Sequence, residues 1–254
     1  MRWKYTCASV TGKAHTRRGE NGQDSSRAGT IQISDSEFFI GIAADGAGST
    51  SDGGKGAEIT CEMLYTQISE TLRKNGDLSG ITDDDVKAWI TAARDAIIAE
   101  TQPEGKPLRE YACTILGSVA GNGGSVFFQI GDGAIVTGSG TDYRTIFWPE
   151  QGEYANTTYF ITDEQYLDHL HILHAELPDE IALFTDGLQN LVLSFALQKA
   201  HPGFFQPLFS ALGQHPVNGS QSFSTQLENF LCRDDISERS DDDKTLVLAV
   251  RMTG

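Results

Sequence analysis

Apolar residues change their spacing in a definite order along the chain. Residues 37–44 read EFFIGIAA, an unbroken apolar run short enough for a buried strand, and it stops at Asp45-Gly46, a turn signal. Beyond the glycine-rich GSTSDGGKG, Ala57, Cys61, Leu64, Ile68 and Leu72 recur at helical spacing, and that helix ends before Asn75-Gly76. Thr82-Asp83-Asp84-Asp85 resembles a capping box, and Val86, Trp89, Ala93 and Ile97 form the stripe of a second helix. The period then shortens. CTILGSVA, SVFFQIG, AIVTG and YRTIFW, separated by Gly, Asn and Asp, predict an antiparallel meander of short strands. Residues 150–179 are polar, carry His169, His171 and His174 and lack a period, which predicts a loop or flap excursion. IALFTDG restores a strand that again stops at Asp-Gly. Helical stretches follow over 188–199 and near 221–231, and the acidic DISERSDDDK leads into a last strand, TLVLAV. Strands and helix pairs without a regular βαβ rhythm, a repeat or a low-complexity linker predict one α+β domain over residues 1–254, with helices covering a sheet or sandwich.

Composition adds little to this, because 39% apolar and 21% charged residues in 254 are enough for one sizeable core. Charge adds more. Asp and Glu number 35 against 19 Lys and Arg, a formal net charge of −16. Such a field repels a phosphate backbone and an anionic bilayer, and no basic patch offsets it, so neither nucleic acid nor a membrane is expected as a partner. Most of the excess reads as solvated surface. Some of these carboxylates could instead be metal ligands, which need negative charge.

Cys7, Cys61, Cys113 and Cys232 are far apart, with no C-x-x-C pair and no His at zinc spacing. Four reduced, mostly buried thiols are expected. The opening MRWKYTCASVTG lacks an apolar leader, and no run approaches the ~18 apolar residues of a membrane span. These features predict a cytoplasmic protein.

Four aspartates share a position next to a strand edge or turn: Asp24 in NGQDSS, Asp45 in AADGAG, Asp186 in LFTDGL and Asp242 in DDDKT. Clustered carboxylates suit hard cations such as magnesium or manganese, which neutralise them. A glycine after Asp45 would let its carbonyl turn toward such an ion. Taken singly, each Asp-Gly more often just closes a turn. GSTSDGGKG fails the P-loop template, because Ser49 stands where the first Gly should be and Gly56 follows Lys55, so an ATPase is rejected. The histidines at 169, 171 and 174 have no fixed helical frame and read as surface residues.

In succession, Gln23-Asp24, ADGAG, QIGDGA, LFTDG and DDDKT before an apolar strand resemble the metal-dependent protein phosphatases of type 2C, in particular their compact bacterial branch. The resemblance runs from Gly12 to Val250 and rests on the order and spacing of five motifs. It implies a four-layer fold, a central antiparallel β-sandwich flanked by helix pairs. It implies two Mg2+ or Mn2+ ions, with Asp24, Asp45, Asp186 and Asp242 as ligands, Gly46 coordinating through its carbonyl and Asp45 bridging. Asp132 matches an acidic residue that in relatives helps the Asp186 position hold a third, weaker ion. Counted back from Thr245, the motif spacing puts Asp243 where relatives have Asn, with Asp241 a neighbour. The implied reaction is attack of a metal-bridging hydroxide on phosphoserine or phosphothreonine in proteins, opposite a cognate Ser/Thr kinase.

The chain departs from the family pattern at two points. Where relatives often have a phosphate-gripping Arg, Gly12-Lys13-Ala14-His15 supplies His15. That histidine reads equally as a phosphate contact or proton donor and as a residue hydrogen-bonded to structure, while Arg17 and Arg18 could restore the positive charge. Where eukaryotic relatives carry a His in Asp-Gly-x-Gly-Gly, this chain has Ala47, and the last Gly is Ser49. A metal-bound water or His15 would then serve as the acid. Two other readings stay open: a regulatory or phospho-binding module with catalysis weak or lost, and a non-catalytic acidic interaction domain.

Overall fold

The protein is described here from a computed structural model covering residues 1–149, 158–216 and 221–252. Its strands are β1 (Arg2–Val10), β2 (Ser25–Ile33), β3 (Ser36–Ala44), β4 (Ile115–Gly121), β5 (Gly124–Ile130), β6 (Ala134–Ser139), β7 (Asp142–Thr145), β8 (His171–Ala175), β9 (Glu180–Phe184), the short β10 (Leu193–Ser194) and β11 (Lys199–Ala200), and β12 (Lys244–Met252). Its helices are α1 (Lys13–Arg18), α2 (Gly53–Asn75), α3 (Asp83–Glu104), α4 (Gln189–Val192), α5 (Pro202–Gln214), α6 (Gln221–Leu231) and α7 (Asp234–Ser237). Two five-stranded antiparallel sheets form, in the orders β1-β12-β9-β6-β7 and β2-β3-β4-β5-β8.

Alternation along the strands accounts for the layers. On β3, Phe38, Ile40 and Ile42 meet α2 and α3 through Leu64, Ile68, Trp89 and Ile90, while Phe39 and Ala43 face the other sheet. On β12, Leu246 and Leu248 pack with Phe205, Phe209 and Leu227 of α5 and α6, while Val247 and Ala249 join Phe39, Leu116 and Phe127 between the sheets. Successive strand residues point to opposite faces, so strands covered on both sides must be apolar throughout. This is why EFFIGIAA and TLVLAV lack polar alternation. The α+β sandwich with helices on both outer faces agrees with the expected fold.

The α3 start also matches its sequence signature. Thr82 Oγ1 accepts from Asp85 N at 3.3 Å and Asp85 Oδ2 accepts from Thr82 N at 2.8 Å, a closed capping box. Thr82→Ala is expected to lower stability by about 1 kcal/mol, read by urea unfolding at unchanged m-value.

Other segments differ from the sequence reading. The predicted meander is two hairpins in different sheets, β4–β5 and β6–β7, and the chain crosses between sheets at residues 131–133. The 188–199 helix shortens to α4, followed by the β10–β11 hairpin, which exposes Phe195 and Leu197. The 150–179 excursion contains β8, paired to β5 from Ser125↔Ala175 to Gln129↔His171, while 150–157 lie outside the described residues. Helix α5 begins with a proline in its first turn, where the missing N–H has no intrahelical acceptor, and carries a second at Pro207. All four cysteines are free thiols, with Cys61 and Cys113 buried, Cys7 half-buried and Cys232 exposed against expectation. Among the described residues no helix is long and apolar enough to cross a membrane.

Candidate active site

Antiparallel register brings the singled-out aspartates to one end of the sandwich. The end of β3 pairs with the start of β2 at Ser25↔Ala44, which sets Asp24 beside Asp45. In the other sheet the end of β9 meets the starts of β12 and β6, at Leu246↔Phe184 and Ala134↔Phe184. Asp186, Asp242 and Asp132 therefore leave the sheet side by side. The end of β1 joins them at Val10↔Lys244 and leads into α1, which carries His15.

A cavity of about 200 Å3 lies there, its wall including Asp45, Gly46, Asp132, Asp186, Asp242 and His15, the 47–49 loop, and Thr114, Thr158 and Phe160. Asp24 and Arg18 line instead a wider open groove of about 950 Å3 alongside. Arg18 is turned away in an exposed pair with Glu20, Nε to Oε2 at 2.6 Å, and does not reach the aspartates. Arg17 pairs with Asp241. His169 stacks on Tyr159, and His174 Nε2 lies 2.9 Å from Asp83 Oδ1 at the exposed α3 start, so neither adds to this cavity.

The Asp-Gly pairs are explained by crowding of the backbone. A Cβ on Gly46 would stand 2.4 Å from Gly53 C at the head of α2, and one on Gly187 would stand 1.9 Å from Asp243 O. Neither position needs a positive φ. Glycine here lets two loops touch their neighbours and press the preceding aspartates together.

Threonines and amides fix the carboxylates. Asp45 N donates to Thr114 Oγ1 at 3.0 Å, Thr185 Oγ1 donates to Asp24 Oδ2 at 2.7 Å, and Thr158 Oγ1 donates to Asp132 Oδ2 at 2.5 Å. Lys244 is buried, and its Nζ donates to Asp242 O at 2.7 Å. Turned to donate, the Gln23 amide reaches Ala47 O at 2.9 Å and Gly46 O at 3.1 Å, leaving the Gly46 carbonyl one lone pair for another partner.

Burial, then mutual repulsion, makes these acids hard to ionise. Burial with Asp243 and Asp186 nearby pushes Asp24 up to about 7, against the hydrogen bonds from Thr185 and Thr245. Burial with Asp242 and Asp132 pushes Asp186 up to about 6. Asp45, which faces Asp24 and Asp186, rises well above the usual carboxylate range, and burial raises Asp132 as well.

Asp186 Oδ1 is buried without a hydrogen-bond partner among the described residues. An unpartnered buried carboxylate oxygen amid like charges, in an all-oxygen donor set, fits a hard divalent cation. Among the described residues no three His, Cys, Asp or Glu side chains lie close enough to encircle one ion. Magnesium does not require that, since it is held by one or two carboxylates and keeps several waters.

Asp243 and Gln23 are the residues that motif reading undervalued. Asp243 is 3% exposed and accepts three N–H groups: Gly12 N at 2.6 Å and His15 Nδ1 at 3.0 Å on Oδ1, and Gln23 N at 2.6 Å on Oδ2. It ties α1 and the Asp24 loop to β12. Its signal in sequence was slight, an acidic residue immediately before a buried strand.

Comparison with known proteins converges on one family. A family model described as protein phosphatase 2C matches residues 11–232. Serine/threonine-protein phosphatase 3 of Escherichia coli (strain K12) is 32% identical over 252 residues, 98% of this chain and 99% of that protein. A solved serine/threonine phosphatase of Staphylococcus aureus has the same fold at a TM-score of 0.63 and 14% identity, covering 100% of this chain and 96% of its own. One of Mycobacterium tuberculosis has it at 0.61 and 15%, with 100% of each chain covered. With two stacked antiparallel sheets, helices on both outer faces and acidic residues at one end of the sandwich, the chain belongs to the protein phosphatase 2C family.

Proposed function

We propose that the protein is a Mg2+- or Mn2+-dependent phosphatase that hydrolyses phosphoserine and phosphothreonine monoesters in proteins. The observation that carries this is the convergence of Asp45, Asp132, Asp186 and Asp242 on one small cavity, with a buried, unpartnered Asp186 oxygen among them. In this reading Asp24, Asp45, Asp186, Asp242 and the Gly46 carbonyl hold two ions, and Asp132 with Asp186 holds a third, weaker one. When bound, such ions offset charge on the phosphoryl oxygens and acidify a water.

The chain's own residues do the rest. The paired ends of β9 and β12 keep Asp186 and Asp242 at a constant separation, so the ligand set is assembled before substrate arrives. Thr114, Thr158 and Thr185 hold the loops of Asp45, Asp132 and Asp24. His15 is the nitrogen-bearing side chain at the wall, since Arg18 is engaged with Glu20. The relatives named as serine/threonine phosphatases support the substrate class. On the same resemblance the protein reverses a Ser/Thr kinase acting on shared targets in the cytoplasm.

The test is hydrolysis of para-nitrophenyl phosphate and of a phosphothreonine peptide with and without EDTA. Turnover of both is expected with Mg2+ or Mn2+, and its loss on chelation. Turnover undiminished by chelation would overturn the metal-dependent reading.

A further inference from the structure

After the first Asp-Gly this chain has Ala47, a side chain with no proton to give a leaving group. The wall of the cavity holds a substitute, reached from a different element. His15 is 4% exposed on α1, and its ring lies against the loop that follows Ala47: a Cβ on Gly48 would stand 4.0 Å from His15 Nε2. That nitrogen is buried and has no hydrogen-bond partner among the described residues, and His15 is one of the residues that line the aspartate cavity.

The other ring nitrogen is spoken for. Nδ1 lies 3.0 Å from Asp243 Oδ1, an oxygen that also accepts Gly12 N at 2.6 Å, while Oδ2 accepts Gln23 N at 2.6 Å. Three donors converging on one side chain require an acceptor at every point, which a carboxylate supplies and an amide does not. Asparagine, found at this position in relatives, would aim its own N–H at one of those donors. The network therefore assigns the proton on Nδ1 to the bond with Asp243 and leaves Nε2 as the ring nitrogen without a fixed partner.

We infer that His15 is the proton donor to the departing seryl or threonyl oxygen and that Asp243 is the positioning residue that aims it. The inference rests on the phosphatase reading above. In the step, water oxygen forms a bond to phosphorus as the bond from phosphorus to the substrate oxygen breaks. The Nε2 proton passes to that oxygen, giving the free hydroxyl. The attacking water gives up its own proton to solvent, inorganic phosphate leaves, and His15 takes a proton back from solvent. Asp243 holds the plane of the ring through its bond to Nδ1.

A proton donor matters in proportion to how poor the leaving group is. An alkoxide needs the proton, whereas para-nitrophenolate departs without it. His15→Gln keeps an N–H that can touch a phosphate oxygen but has no proton to give. Its turnover number on the phosphothreonine peptide should fall by about 100-fold more than on para-nitrophenyl phosphate, at the low end of what general acid catalysis contributes. Asp243→Asn should shift the same ratio in the same direction by about 10-fold, with the change in the turnover number rather than in KM. In wild-type protein, ring 15N spectra should show His15 Nδ1 protonated, a measurement independent of whether the Asp243 variant folds. If His15→Gln loses equally on both substrates, or only in KM, His15 is a phosphate contact and the inference fails while the phosphatase reading stands. If wild-type protein with Mn2+ turns over neither substrate, both fail.

Discussion

Asp45→Asn is expected to abolish turnover and, in the absence of divalent metal, to raise stability. The two effects have one cause. Asp45 stands at the end of β3 among Asp24, Asp186 and Asp242, and burial with that repulsion keeps its carboxyl far above the usual range. Without a cation the acid holds its proton and hydrogen-bonds to Asp186. Asparagine has the same shape and is neutral without taking up a proton, so the variant spares the folded protein the cost of protonating this buried acid and leaves no cavity. With metal present the same change removes the carboxylate proposed to bridge the ions. Loss of a mere supporting partner of a metal ligand costs about 10–100-fold, so loss of a bridging ligand should exceed about 100-fold. The measurement pairs turnover on para-nitrophenyl phosphate with thermal melting in EDTA. A residue kept for structure alone would lower both when replaced, and a variant that melts lower in EDTA would count against that protonation cost.

How far the sequence foretold this arrangement depended on whether the decisive contacts were local. Strand β3 and helices α2 and α3 were legible because burial wrote itself into nearby positions: Phe38 to Ala44 apolar on both faces, Leu64, Ile68 and Leu72 one turn apart. Strand β1 was not, because Arg2 and Lys4 on one face and Ser9 on the other break its apolar pattern and its partner β12 lies at the far end of the chain. Helix α5 was hidden by Pro202, Gly203 and Pro207, although Phe205, Phe209 and Leu212 form its buried stripe. Strand β8 read as loop because three of its five residues are histidine and alanine on an edge strand, where β5 supplies its ladder.

At the site, the aspartates were visible only as an ordered set of motifs. Nothing near Asp24 or Asp186 in sequence says that they come together; the stacking of the two sheets does, with Thr185 Oγ1 donating to Asp24 Oδ2 across them. Asp243 was hardest to see. Its partners at Gly12, His15 and Gln23 are more than two hundred residues away, and its role is to accept their N–H groups, which leaves no periodic trace. Arg18 shows the converse. A basic residue close in sequence to a phosphate motif turned outward to Glu20, because at the exposed end of α1 the neighbouring carboxylate lies within reach.

The melting temperature of the protein should rise by about 5–10 °C on adding Mg2+ or Mn2+ at 100 times its dissociation constant, and the rise should grow with pH. Ligand binding at that excess adds about 2.7 kcal/mol, and in chains of this size each kcal/mol moves the midpoint by about 2–4 °C. The pH dependence follows from the carboxyls. Asp24 at about 7, Asp186 at about 6 and Asp45 above the usual range all hold protons more tightly folded than unfolded. In the metal-free protein the unfolded chain thus releases protons that the folded chain keeps. The stability these groups contribute is full below about pH 4 and is lost as pH rises through about 6 to 7. A cation reverses the sign, because it binds the ionised forms and competes with those protons. Melting in EDTA should therefore fall between pH 5.5 and pH 8 while melting with Mn2+ holds, so the gap between the two curves widens. A gap of the same size at both pH values would mean that metal binds to surface carboxylates, which are fully ionised across that range, and not to the buried set at the end of the sandwich.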